Sequence, residues 1–178
     1  VLEDLVWNHM KEVISYVTRY EAHFRVEMEQ KLHLQSEETI RVYKKRLAQA
    51  EKRIGELDRL FIKIYEDNAK GKLNDDRFAM MSKTYEDEQA QLKVEIVNLQ
   101  KEIEVQERQI EDLEQFIQRA RRYTDLTELT PYALRELISA VYVEAPDKSS
   151  GKRKQRVHIQ YDLVGYIPVD ELIKAEQA

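Results

Sequence analysis

The residues able to do chemistry lie in a few separate places. From Glu66 to Asp76 two acidic clusters flank Lys70-Gly71-Lys72, which raises a calcium loop or a phosphate loop. An EF-hand loop needs side-chain oxygens at its first, third and fifth positions, and counted from Asp67 the third is Ala69 and the fifth Gly71. A phosphate loop needs further glycines ahead of its lysine, and Gly71-Lys72 stands alone. The histidines, His9, His23, His33 and His158, form no HExxH pair, and the carboxylates form no paired ExxH motif of a di-iron bundle. Glu29 and His33 could share a helix face, but on so charged a segment a solvated face is the ordinary reading. Ser15, Ser36, Ser82, Ser139, Ser149 and Ser150 have no elbow motif or oriented base near them in sequence. With no cysteine in the chain there is no disulfide and no thiolate metal site. Lys148, Lys152, Arg153, Lys154 and Arg156 remain, a cationic cluster able to meet backbone phosphates. No aromatic residue interleaves them, so base stacking is not suggested, and a solvated basic turn accounts for them equally well.

The elements around these residues are helical. The 178 residues are 42% hydrophobic and 35% charged, with four Gly and three Pro, a balance suited to elongated helical units rather than one large core. A net charge of −5 argues against general coating of nucleic acid. No apolar run spans a bilayer, and the first residues lack the pattern of a signal peptide, so the expectation is a soluble, cytoplasmic protein with no membrane partner. From Ile40 the apolar positions are Ile40, Tyr43, Leu47, Ala50, Ile54, Leu57, Phe61 and Ile64, in alternating steps of three and four. A second run, Phe78, Met81, Tyr85, Leu92, Ile96, Leu99, Ile103, Gln106, Ile110, Leu113, Ile117 and Ala120, slips phase once between Tyr85 and Ile96. Such spacing marks a coiled-coil seam. Between the runs, Gly71 suits the left-handed end of one helix, Asn74 the N-cap of the next, and Leu73 with Phe78 a hydrophobic staple. A bend there would set Ile54 against Leu92 and Leu47 against Leu99, and the first helix has apolar positions to extend back through Leu32, Met28 and Phe24. Gly55, away from the seam, marks a point of bending.

The ends differ from this middle. Leu2, Leu5, Val6, Trp7, Met10, Val13, Ile14 and Val17 make a stripe broader than a two-stranded seam needs. Thr130 and Pro131 open a short helix carrying Leu134, Leu137 and Ile138. Val141-Tyr142-Val143 reads as strand, and Val157, Ile159 and Tyr161 alternate with Arg156, His158 and Gln160, giving a β-hairpin with a basic tip. A final short helix is suggested by "VDELIKAEQA". The expected fold is mainly α: a long antiparallel coiled-coil hairpin projecting from a small α+β base. Its parts are residues 1–34 as the N-terminal helical part of the base, 35–123 as the arm with a tip near 68–75, and 124–178 as helix plus β-hairpin.

"ELDRLFIKIYEDNAKGKLNDDRF", "YEDEQAQL" and "FIQRARRYTDLTELTPYALRELISAVYVEAPDKSSGKRKQRVHIQYDLVGYI" together resemble the C-terminal region of large serine recombinases of the transposon-resolvase type. The resemblance implies a coiled-coil arm and the flanking part of a zinc-ribbon domain from a protein of DNA recombination in mobile elements, of the resolvase and integrase kind. It implies no catalytic residue here, and zinc held in an upstream part, outside this chain. The implied partners are other recombinase subunits through the arm, DNA, and a directionality factor, with no small-molecule substrate. Toward the tip Leu60, Ile62 and Tyr65 leave the seam and would face water, which marks them as partner contacts. Two other readings are weighed: a structural coiled coil, and a prefoldin-like chaperone. The second is disfavoured because the strands follow both helices rather than lying between them. On this reading the 178-residue chain neither binds zinc nor cleaves DNA; one tightly held zinc per chain by metal analysis overturns it.

Overall fold

Helix-forming residues dominate the chain; Gly71, Pro146 and Pro168 fall between elements, and Pro131 opens a helix. The computed structural model describes residues 2–146, 155–170 and 172. In chain order the elements are α1 (Leu2–Arg19), α2 (Glu21–Lys31), α3 (Glu37–Ala69), α4 (Asp75–Arg122), α5 (Pro131–Leu137), β1 (Ile138–Val143), β2 (Val157–Tyr161) and β3 (Gly165–Tyr166). The fold is mainly helical with a small antiparallel sheet in the order β1-β2-β3. Contacts divide the chain into two units, Val1–Leu34 with Arg108–Ala178 and Gln35–Glu107.

The first unit holds the larger core. The broad stripe of α1 buries Val6, Met10, Val13, Ile14, Tyr16 and Val17, and α2 adds Phe24 and Met28. Leu113, Phe116, Ile117 and Ala120 come from the last turns of α4, Ala133 and Leu137 from α5, and Ile159 and Tyr161 from β2. The unit therefore claims α4 from Arg108 onward, because a stripe that wide needs more than one helix to cover it. Arg25 grips Glu114 with two bonds of 2.6 and 3.1 Å. Arg119 donates to Asp162 at 2.6 Å and to the Glu136 carbonyl at 3.0 Å, pinning the turn after β2. That turn is tight: Val164 N–H donates to the Asp162 carbonyl at 2.9 Å with Leu163 at φ 69°, a left-handed position unusual for leucine.

The N-terminal stripe from Leu2 to Val17 lies on one helix, α1, and α2 follows after a break at Tyr20, where Tyr16 meets the rings of Tyr20, His23 and Phe24. Three local expectations are corrected. The helix of Ile40 does not run back through Leu32, Met28 and Phe24. It starts at Glu37, where the Ser36 side chain accepts the Thr39 N–H at 3.2 Å, and His33 at φ 54° ends the helix before it. Ile138 opens β1 rather than closing α5, because the N–H of Ile138 bonds Leu134 while its own torsions are already extended. The sheet has a third strand, β3, paired through Gln160 with Tyr166 and Tyr161 with Gly165. The alternation in β2 does hold: Ile159 and Tyr161 are buried, His158 and Gln160 exposed. Most of the final "VDELIKAEQA" helix lies outside the described residues.

The second unit is a pair of long helices. Arg46 bonds Glu95 and Arg53 bonds Glu88, so α3 and the matching part of α4 run in opposite directions side by side. Between them Ala50, Leu57 and Leu92 are buried, with Ile54, Tyr85 and Ile96 packed against them.

Sequence reasoning overlooked one buried polar pair in the first unit. His9 Nδ1 lies 2.9 Å from the hydroxyl of Tyr161, a residue only 1% exposed. Burial pushes the His9 imidazole below its ordinary 6.5, against the opposing pull of Glu12 and Asp170. Because the folded value is the lower one, the unfolded chain binds more protons as pH falls through 6.5. The His9 contribution is thus complete above 6.5 and is lost as pH falls through the folded value. Thermal melts between pH 7.5 and pH 5 should show the midpoint falling with acidity, and His9→Gln should flatten that fall. A His9→Gln profile parallel to wild type would show that this pair carries no pH dependence.

Candidate functional site

The stretch between α3 and α4 is built by end-capping chemistry. Lys70 is the C-cap of α3 and Gly71 follows at φ 75°. Lys72 N–H donates to the Asp67 carbonyl at 2.8 Å and Gly71 N–H to the Asn68 carbonyl at 3.0 Å, the two bonds of a Schellman ending. Asn68 Nδ2 then donates to the Leu73 carbonyl at 3.0 Å and to Asp75 Oδ1 at 2.8 Å, tying both helix ends together. Asn74 Oδ1 accepts the Arg77 N–H at 2.8 Å, capping α4, with Asp75 and Asp76 in its first turn. Lys63 bonds Asp67 at 2.9 Å and holds its carboxyl below the usual carboxylate range. Asp67, Asn68, Asn74, Asp75 and Asp76 thus each have a structural partner or a place at a helix end. Among the described residues no group of three or more His, Asp or Glu is arranged to hold a metal.

Near the turn the aromatic rings gather. Phe61 and Phe78 are half-buried with ring centroids 6.4 Å apart, and Tyr65 meets Phe78 edge-on, also at 6.4 Å. Outside this contact Leu60 is 37% exposed, Ile62 58% and Tyr65 61%. At about 100° per residue, Ile62 and Tyr65 sit about 60° apart on α3, whereas Leu60 lies about 140° or more from both. The three residues therefore form not one patch but two, with Leu60 alone on the opposite flank of the seam. Met80, two residues past Phe78, is 63% exposed and escaped notice in the sequence because it is a single apolar residue off the α4 seam.

Farther along, pairs of opposite charge bracket the seam. Arg53 grips Glu88 with bonds of 2.7 and 3.2 Å, and Arg46 grips Glu95 with bonds of 2.5 and 2.7 Å. These bonds hold Glu88 and Glu95 below the usual carboxylate range. Gln106, a polar residue at a seam position, is buried yet satisfied: its Oε1 accepts the Gln35 N–H at 2.9 Å and its Nε2 donates to Glu102 at 3.0 Å. Of the cationic cluster, Lys148, Lys152, Arg153 and Lys154 lie outside the described residues. Arg156 is described and exposed, and its carbonyl accepts the Glu144 N–H at 2.9 Å. His158 beside it is 2.7 Å from Glu144.

A protein-family profile described as a domain of unknown function, DUF4368, matches residues 102–168. The matched span takes in the last turns of α4, α5 and all three strands, and excludes the turn and the exposed residues around it. No curated protein and no solved structure matches the chain.

The two glycines of this unit should respond in opposite directions. A Cβ on Gly55, inside α3, meets nothing within 4 Å, so Gly55→Ala should gain about 1 kcal/mol of helix propensity and raise the melting temperature by about 2–4 °C. Gly71→Ala places a Cβ in left-handed backbone and should lose about 1–2 kcal/mol. Thermal melts of both variants check the signs; a neutral Gly71→Ala would mean the turn does not fix the helix ends.

Proposed function

We propose that this chain is a non-catalytic part of a site-specific DNA recombinase of the serine family. In this reading α3 and α4 form an antiparallel coiled-coil hairpin, and its turn end docks other recombinase subunits or a directionality factor. The recombinase setting rests on the sequence resemblance. Support for the hairpin comes from the burial of Ala50, Leu57 and Leu92 between opposed helices, flanked by ion pairs whose members recur every seven residues on each helix. The observation that carries docking is the exposure of Ile62 and Tyr65 on one face of a well-formed helix. An apolar cluster that the helix pair does not need for its own burial is characteristic of a contact site.

Ile62→Glu and Phe61→Ala separate docking from folding. Ile62 is 58% exposed, so Ile62→Glu should change stability by under about 0.5 kcal/mol. Phe61 is only half-buried, so truncating it should cost about 2 kcal/mol, less than a fully buried phenylalanine. In the intact recombinase Ile62→Glu should leave binding to a single DNA site unchanged and weaken synapsis or the response to a regulator. Gel-shift and synapsis assays beside thermal melts measure all three quantities. An Ile62→Glu protein that melts, synapses and responds like wild type would sink the docking assignment.

A further inference from the structure

The first unit contains a cleft of about 330 Å³ between α1 and the turn that follows α4, lined in part by Trp7, Lys11, Ser15, Arg19 and Tyr123. Lys11, Ser15 and Arg19 are four residues apart in turn, so they form one ridge along α1, about 12 Å long. The charge of this ridge is not neutralised. Arg25, Arg119, Arg121 and Arg122 of the same unit hold Glu114, Asp162, Glu21 and Glu136 respectively. Neither Lys11 nor Arg19 pairs with a carboxylate among the described residues, and the Lys11 ammonium instead lies 5.1 Å from the centre of the Trp7 ring.

The hydroxyls of the cleft are sorted by what they can still donate. Thr18 gives its proton to the Ile14 carbonyl at 2.6 Å and Thr124 gives its own to the Arg121 carbonyl at 2.7 Å. The Ser15 proton has no such commitment. On the other wall the Tyr123 hydroxyl donates to Glu136, whose second oxygen accepts from Arg122 at 2.6 Å, so the Tyr123 ring is held in place and the nearby carboxylate is already matched. Two cations and a free hydroxyl on one side, with two aromatic rings beside them, complement a group that combines a phosphate anion with a flat heterocycle.

We propose that this cleft binds a nucleotide unit, with its phosphate on Lys11, Ser15 and Arg19 and its base against Trp7 and Tyr123. The same chemistry is offered by a free nucleotide and by one residue of a nucleic-acid strand. The two sources are told apart by titrating the 178-residue chain separately with AMP, inorganic phosphate and a short single-stranded oligonucleotide. Fluorescence of Trp7, the one tryptophan in the chain, reports occupancy, and equilibrium dialysis of AMP and anisotropy of a labelled oligonucleotide give independent readings. A free nucleotide as ligand predicts saturable binding of AMP, tighter than phosphate alone. A strand as ligand predicts saturable binding of the oligonucleotide but not of AMP.

In either case Lys11→Gln and Arg19→Gln should each weaken binding roughly tenfold, and the double variant should abolish the fluorescence change with an unaltered circular dichroism spectrum. For a strand the double variant should also reduce the salt slope by roughly 0.7, the share of the one phosphate no longer neutralised. The basic residues between 148 and 156 are intact in these variants, so strand binding through them would persist unchanged. Binding that the double variant leaves unchanged overturns the proposal, as does the absence of saturable binding with every probe. Phosphate binding as tight as AMP binding also overturns it, because the base would then have no place in the site.

Discussion

The structure depends on one unbroken helix, Asp75–Arg122, which must satisfy two different surroundings with a single period. It runs 48 residues with no glycine or proline to interrupt it. In its earlier part the buried positions are Leu92, Ile103 and Gln106, a narrow line that suits one facing helix. Past Glu107 the buried set widens to Leu113, Phe116, Ile117 and Ala120, which suits a core approached from several sides. A straight helix drifts about 20° per heptad against a 3.5-residue repeat, so a narrow line cannot continue indefinitely without a correction. The apolar pattern of the sequence slips phase once, between Tyr85 and Ile96. There the edge positions Glu88 and Glu95, seven apart, meet Arg53 and Arg46, also seven apart. The charges occupy places where the slipping stripe offers no clear apolar position.

What could be read from the sequence was whatever local geometry dictates. The line from Ile40 to Ile64 is visible because a steady alternation of three and four leaves one face, and each of those positions is buried or half-buried. Gly71 and Asn74 were legible because left-handed backbone and an exposed first turn each select few residue types. What escaped depends on partners far along the chain. His9 gives no local sign that its partner is Tyr161, and Tyr20 lies in a segment without glycine or proline that nevertheless bends. The break shows in the non-helical backbone torsions of Tyr20, φ −127° and ψ 44°. The strand β3 is two residues long, too short for any alternation to register. Gln106 stood at a seam position without apparent reason until the Gln35 amide supplied one.

Around the turn, exposure and rigidity occur together. Apolar residues in a mobile loop would lose conformational freedom on meeting a partner, at about 0.5–1.5 kcal/mol for each rotamer-rich side chain fixed. Ile62 and Tyr65 are carried on a helix that is already ordered, and the Tyr65 ring is steadied by Phe78. Isoleucine also has little χ1 freedom to lose in a helix. Leu60 faces elsewhere, so a partner that covers Ile62 and Tyr65 need not touch it. A partner docking as proposed would then meet one flank of the helix pair, a stricter geometric demand than an apolar ring around the end would make.

The apolar face and the cationic cleft differ in the physics they would bring to an assembly. Burial of Ile62 and Tyr65 acts at contact distance and is little affected by salt, so it would govern mainly how long a complex lasts. Lys11 and Arg19 act over roughly a Debye length, about 8 Å at physiological ionic strength, and would govern mainly how fast an anionic partner arrives. A protein that uses both would lose rate with added salt while its bound lifetime held, and would lose lifetime on substitution of Ile62 while its salt dependence held.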